Sequence, residues 1–287
     1  MLKGKEDLLF YYIDDFCKIY EEWKEKKLLP TTGQRNREGK LSLSEKLFIM
    51  IGFHLSPYKE FKYYYLHGIC QTNRFWFQSL PSYGRFVQLM PSLFVPLTLL
   101  LHLLKGEKTG LYFVDSTTLP VCHVMRNKRN RLFSLMAAKS KSTMGWFFGL
   151  KLHLVINHKA DIVALQITPG NFDDRSVLER LFQSLKGSVY ADKGYISKEK
   201  FLSFFKKGLK LITNVKRNMR NCLMSLFDKL MLRKRFLIET VFSTLKQNMN
   251  LQHTRHRSTK NYFINLLSCL VAYSMTKNQG YKKIAYP

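Results

Sequence analysis

The chain has 287 residues, with 47 Lys and Arg against 20 Asp and Glu and a formal net charge of +27. Its 46% hydrophobic and 14% aromatic residues can bury a substantial core, which excludes general disorder, and its length suits one large domain or two modest ones. An ordinary small-molecule enzyme has no need of so positive a field, which points to a polyanion, with nucleic acid ahead of an anionic membrane surface.

Taken from the N-terminus, MLKGKEDLLFYYIDDF lacks the apolar stretch and small-residue cleavage site of a signal peptide. Residues 1–108 follow a helical pattern. LSLSEKLFIMIGFHL spaces its apolar residues by three and four behind a Ser-x-x-Glu start at Ser42 and Glu45, and the turn-rich basic segment PTTGQRNREGK separates two helical parts. The longest apolar stretch, 93–104, is interrupted by Pro96 and His102 and falls short of the roughly 18–20 residues that span a membrane. Cys17, Cys70, Cys122, Cys222 and Cys269 are dispersed and form no CxxC pair, which argues against a disulfide framework or zinc site and suits a reducing compartment. The expectation is a cytoplasmic protein that meets nucleic acid and no membrane.

Beyond a Gly106–Gly110 linker the pattern changes. LYFVDSTTLPV and FFGLKLHLVIN read as strands, and DIVALQITPG as a third after a tight HKAD turn. Asp173 or Asp174 then caps a helix to about Leu185, SVYADKGY is a short strand, SKEKFLSFFKK a helix and LKLITNV a strand. From about Lys229 the chain is helical, first RFLIETVFSTLKQNM and then NYFINLLSCLVAYSM. Three strands, then alternating helices and strands, predict an α/β mixed sheet flanked by helices. The order is that of a ribonuclease H-like fold, and other α/β folds share it.

In so basic a chain the acids carry the information. Residues 116–160 hold eight Lys and Arg and no acid, and residues 200–260 hold 15 Lys and Arg and only Asp228 and Glu239. Asp115 ends the apolar run 111–114, Asp192 ends 189–191, and Glu239 lies between Ile238 and Val241. Carboxylates so placed cost several kcal/mol if unpaired. At 100° per residue, Arg235, Glu239 and Lys246 fall within about 40° of one another, with Glu239 at the border of the apolar stripe and facing the sheet edge. Two aspartates at strand ends and one helical glutamate can converge on a pair of Mg²⁺ ions, which favour hard oxygen ligands. Against this stands the plainer account, in which strand-end aspartates cap turns and Glu239 makes an i,i+4 ion pair with Arg235.

At these residues the chain resembles the DDE transposases of bacterial insertion sequences, and within them the insertion-sequence-982 family. The resemblance runs through VDSTTLPVC at 114–122, GWFFGLKLHLVIN at 145–157, ITPGNFDDR at 167–175, ADKGYIS at 191–197, RFLIETVFSTLK at 235–246 and the NYFINLLSCLVAY helix. LSLSEKLFIMIGFHLSPYKEFKYYY is also similar to that family, so most of the chain is covered. The resemblance implies a ribonuclease H-like catalytic core at 109–278, a helical DNA-binding region at 1–108 and a tail at 279–287. It implies Asp115, Asp192 and Glu239 as the triad holding two Mg²⁺ or Mn²⁺ ions, and Arg235, Glu239 and Lys246 as an Arg–x3–Glu–x6–Lys signature. The Tyr that precedes this Arg by three residues in related transposases is here Leu232. Only 46 residues separate Asp192 from Glu239, too few for a large inserted domain.

Arg126, Arg129 and Arg131, with Lys128, Lys139 and Lys141, lie on the connection between the first two strands and are candidates for DNA phosphate contact, as are Lys193 and, beyond the core, Arg255, His256 and Arg257. Gly194 permits a tight turn beside Lys193, while Tyr195 reads as packing. His123 reads as a surface or packed histidine. Ser116, Thr117 and Thr118 lack the partners of an activated nucleophile, and Asn171 and Asp174 are open to a supporting role by the resemblance. The expected activity is end cleavage and strand transfer by a DNA-bound homodimer, with a nuclease that cuts without joining and an inactive DNA-binding regulator as alternatives.

Overall fold

The computed structural model describes residues 5–26, 39–143, 145–214, 224–252 and 256–277, which fall into two units. The first takes residues 1–104, 247–251 and 258–287, and the second residues 105–246 and 252–257. The segment PTTGQRNREGK (mostly), Cys222, Arg255 and the 279–287 tail lie outside the described residues.

The first unit is helical. Helix α1 (Lys5–Lys26) buries Leu9, Tyr12, Ile13, Phe16 and Cys17, the three- and four-residue spacing of one face. Helix α2 (Leu43–Leu55) starts at the predicted capping box: Ser42 N–H donates to Glu45 Oε2 at 2.7 Å and Glu45 N–H to Ser42 Oγ at 3.1 Å. It is buried on nearly every side from Leu47 to His54. A short α3 (Phe61–Tyr63) widens into π-helical turns over Tyr64–Thr72. Helices α4 (Tyr83–Leu89) and α5 (Phe94–Leu103) are joined by a 3-10 turn, Met90–Leu93.

Two sequence expectations change here. The helical run Tyr83–Leu103 is 21 residues long, and by length and composition it suffices to cross a membrane. The strict apolar count understates it because Pro91 and Pro96 sit in first turns, where a missing N–H is tolerated. Phe86, Met90, Leu93, Leu97, Leu100 and Leu101 of this run are buried. Helix α10 (Thr259–Lys277), assigned from the sequence to residues 109–278, packs on α2 and α5 and so belongs to the first unit. His54 is buried there, with Nδ1 2.7 Å from the Met249 carbonyl and Nε2 2.8 Å from Ser268 Oγ.

The second unit is built on a sheet of six strands: β1 (Leu111–Cys122), β2 (Ala138–Ser142), β3 (Gly145–Asn157), β4 (Ile162–Pro169), β5 (Gly187–Ala191) and β6 (Leu209–Thr213). Strand β3 pairs antiparallel with β1 and β4, and β1, β5 and β6 run parallel. The order β4-β3-β1-β5-β6 is the ribonuclease H-like arrangement that the sequence predicts. Strand β2, which the sequence reading omits, pairs with residues 145–149 of β3.

Helices α6 (Leu178–Leu181) and α7 (Lys198–Lys206) supply the crossovers of the parallel half. On one face, Tyr112, Val114, Val189, Ala191 and Leu211 pack with Val177, Leu178, Phe182 and Phe204. The opposite face carries Phe113 against Tyr190, ring centroids 5.8 Å apart. Helix α8 (Leu226–Arg233) is fixed to that face through Asp228, which accepts from Tyr190 Oη at 3.0 Å and pairs with Lys210 Nζ at 3.3 Å. Helix α9 (Phe236–Ser243) follows at once and packs on β1.

Candidate active site

Asp115 lies inside β1 and not at its end, because β1 runs seven residues further, paired to β3 alone. The parallel pairing stops at Phe113 opposite Tyr190, and two more steps in that register bring Asp115 level with Asp192. Side chains alternate along a strand, so Asp115 shares the face of Phe113. Arg235 and Glu239 come to this face from the start of α9, which packs on β1.

Arg235 joins the acids. Its Nη1 lies 3.4 Å from Asp115 Oδ2 and its Nη2 2.8 Å from Glu239 Oε1. Asp115 Oδ1 accepts the Ser116 N–H at 2.8 Å. Burial drives the Asp115 carboxyl up to about 6, opposed by the Ser116 N–H and Arg235 and reinforced by the negative charges of Asp192 and Glu239. Asp115 thus feels both other acids of the predicted triad. Glu239, expected to face the sheet edge rather than water, is 56% exposed on its side chain, because Arg235 holds it outward on the i,i+4 line.

The chemistry of the donors suits a hard divalent cation: Asp115, part-buried, and Glu239 share one guanidinium, and Asp192 adds a third carboxylate on the neighbouring strand end. As the side chains stand, the guanidinium fills the space between Asp115 and Glu239. Among the described residues no three Asp, Glu, His or Cys side chains converge on a cation position.

Lys246 follows Arg235 and Glu239 on a stretch of different pitch. Beyond Ser243 the helix widens to π-type turns over Thr244–Asn248, so the 100° step that aligned the three no longer applies. Lys246 is half-buried, and burial lowers its ammonium pKa. Lys193 is exposed directly after Asp192, on a 3-10 turn Lys193–Tyr195. Gly194 has ordinary backbone geometry and open space where a Cβ would project, so the turn does not need glycine.

On the other face, beside β1, is a polar network that the sequence reading missed. Ser116 Oγ donates to Asp174 Oδ2 at 3.0 Å, and Lys151 Nζ lies 2.8 Å from Asp174 Oδ1. His153, the cross-strand partner of Ser116, has Nε2 2.8 Å from Thr168 Oγ1, and burial lowers its imidazole to about 4. Tyr195 is buried close by, and burial together with Asp115, Asp174 and Asp192 raises its phenol pKa. The available signal was in GLKLHLVIN, where Lys151 and His153 occupy one face of an otherwise apolar strand. Asp174 therefore caps no helix; Asp173 does the local work, accepting the Arg175 N–H at 3.0 Å, and α6 shrinks to four residues.

Arg126, Lys128, Arg129 and Arg131 are exposed on the β1–β2 connection, with exposed Met125 and Leu135 among them. Lys139 Nζ sits 4.8 Å from the centroid of the exposed Trp146 ring, a cation–π contact. His123 is exposed and turns Nδ1 toward the Met125 N–H at 3.4 Å. Among the described residues, none of these groups forms an ion pair with Asp115 or Glu239, whose cation is Arg235.

Residues 105–259, more than half of the chain, match the family described as the transposase DDE domain. Among solved structures the chain is similar to the piggyBac transposase in a cryo-EM structure of its synaptic complex with hairpin DNA. The identity is 9%, the TM-score 0.48, and the alignment covers 97% of this chain and 77% of that one. No curated protein matches the chain by sequence.

Proposed function

The chain belongs to the DDE transposases, and from that premise we propose that it mobilises a bacterial insertion sequence of the 982 family by metal-dependent cleavage and joining of DNA ends in the cytoplasm. The observation that supports this reading is the Arg235 guanidinium held between Asp115 and Glu239, with Asp192 at the end of the strand beside Asp115, in a chain of net charge +27.

Asp115, Asp192 and Glu239 are the residues to hold two Mg²⁺ or Mn²⁺ ions. Such ions, when bound, activate the attacking oxygen and stabilise the leaving one. Arg235, Lys193 and Lys246 position phosphates of the cut strand, and Arg126, Arg129 and Arg131 hold flanking DNA. Ser116 is no nucleophile: its hydroxyl donates to Asp174, a carboxylate already neutralised by Lys151, and nothing there activates it. Water therefore attacks the phosphodiester at the element's end and leaves a 3′-OH. That hydroxyl displaces a target phosphodiester in line, and pairing two ends calls for a homodimer on DNA, with residues 1–108 contributing to end binding.

The test is an assay of the full chain with paired end DNAs, a target plasmid and Mg²⁺. Joined products support a transposase that completes both steps, and cut ends alone identify a nuclease. Salt-dependent binding without any cleavage identifies a DNA-binding regulator. Cleavage that survives Asp115→Asn removes the triad assignment.

A further inference from the structure

The guanidinium of Arg235 already does for Asp115 and Glu239 what a cation would do. It reaches one oxygen of each acid, at 3.4 Å and 2.8 Å, and its own side chain is only 21% exposed. Arginine cannot leave by losing its proton, since a guanidinium stays charged at any physiological pH. It leaves only when a competing cation takes the carboxylates or a competing anion takes the guanidinium. The planar fork of an arginine matches phosphate oxygens as well as it matches carboxylate oxygens. Arg235 sits between the end of α8 at Arg233 and the start of α9 at Phe236, and the turn after the neighbouring acid Asp192 carries the exposed cation Lys193.

We infer that Arg235 is an internal competitor for the metal site, and that a DNA phosphate releases the site by drawing the guanidinium away from Asp115 and Glu239. Free of DNA, the protein keeps its acids paired and binds divalent ions weakly. With DNA bound, the acids are vacated, so DNA and metal strengthen each other's binding by the same factor. Arg235 is here a positioning residue whose partner changes between the two states, and the inference rests on the proposed metal-holding role of the three acids.

The experiment measures Mn²⁺ affinity by electron paramagnetic resonance on the full chain, with and without a short duplex, and subtracts Mn²⁺ bound by the duplex alone. Without DNA, Arg235→Gln binds Mn²⁺ about tenfold more tightly than wild type, and Arg235→Lys, which keeps the charge but loses the two-carboxylate span, falls between. The duplex tightens Mn²⁺ binding to wild type by about the same tenfold, and to Arg235→Gln by less than about twofold. Equal or weaker binding by Arg235→Gln, in protein whose circular dichroism matches wild type, overturns the competition and leaves the triad standing. If wild type and variants all fail to bind Mn²⁺ in either state, the triad assignment falls and the competition with it.

Discussion

Replacing Asp115 by Asn tests the electrostatics of the cluster without DNA or catalysis. The Asp115 carboxyl titrates at about 6 against an ordinary 3.8, first because it is buried. A raised carboxyl pKa means that the charged form is tolerated less well in the folded chain than in the unfolded one. The resulting destabilisation is absent below pH 3.8, grows as pH rises to about 6, and is constant above that. At 1.36 kcal/mol per pH unit it amounts to about 3 kcal/mol at pH 7, with roughly half present at pH 5. The Asp115 side chain is 23% exposed, so solvent screening reduces this to on the order of 1–3 kcal/mol. Asn keeps an acceptor for the Ser116 N–H and removes only the charge. In EDTA, chemical denaturation at pH 7 should therefore show Asp115→Asn to be more stable than wild type by that amount, with the gap shrinking toward pH 5. A variant less stable than wild type at pH 7, or a gap that does not change with pH, refutes the reasoning.

Three further outcomes follow from other parts of the fold. Lys151→Met leaves Asp174 without its cation at a site where the two side chains are 18% and 31% exposed. It should cost about 1–2 kcal/mol, much of it recovered by adding Asp174→Asn, as a double-mutant cycle of unfolding free energies will show. Replacing Arg126, Arg129 and Arg131 together by Ala should flatten the plot of log binding constant against log salt by about 0.9 for each phosphate that the surface no longer neutralises; an unchanged slope removes this surface from the DNA interface. His54, whose burial lowers its imidazole to about 4, is neutral in the folded chain, so its unfolded form takes up the proton first on acidification. The stability advantage of wild type over His54→Gln should thus shrink between pH 6.5 and pH 4, and parallel loss in the two proteins would exclude that account.

Much of the sheet was legible because its strands are apolar runs closed by Gly, Pro or Asp, as in LYFVDSTTLPV and DIVALQITPG. Strand β2 was not, since Ala-Lys-Ser-Lys-Ser offers no buried alternation and is held by pairing to β3 alone. Helix α10 reads as buried from its apolar residues, but burial does not say against what, and its partners α2 and α5 lie more than 150 residues earlier. At the site, Asp115, Asp192, Arg235 and Glu239 were legible as acids and a cation out of place in their surroundings. For Lys246 a helical wheel of one pitch is only approximate, because the turns after Ser243 widen. Ser116, Lys151 and Asp174 meet because β1 and β3 pair in register although β2 lies between them in the chain, and because the turn after β4 brings Asp174 back, which no local pattern states.

Asp228, wedged between Tyr190 and Lys210, moors α8 to strands β5 and β6 seven residues ahead of Arg235. That mooring ties the backbone leading into α9 to the sheet, which leaves rotation of the side chain as the short route by which Arg235 could change partners. Loosening Asp228 would loosen the stretch that leads to Arg235, so an acid outside the Asp115–Arg235–Glu239 contacts bears on where the guanidinium comes to rest.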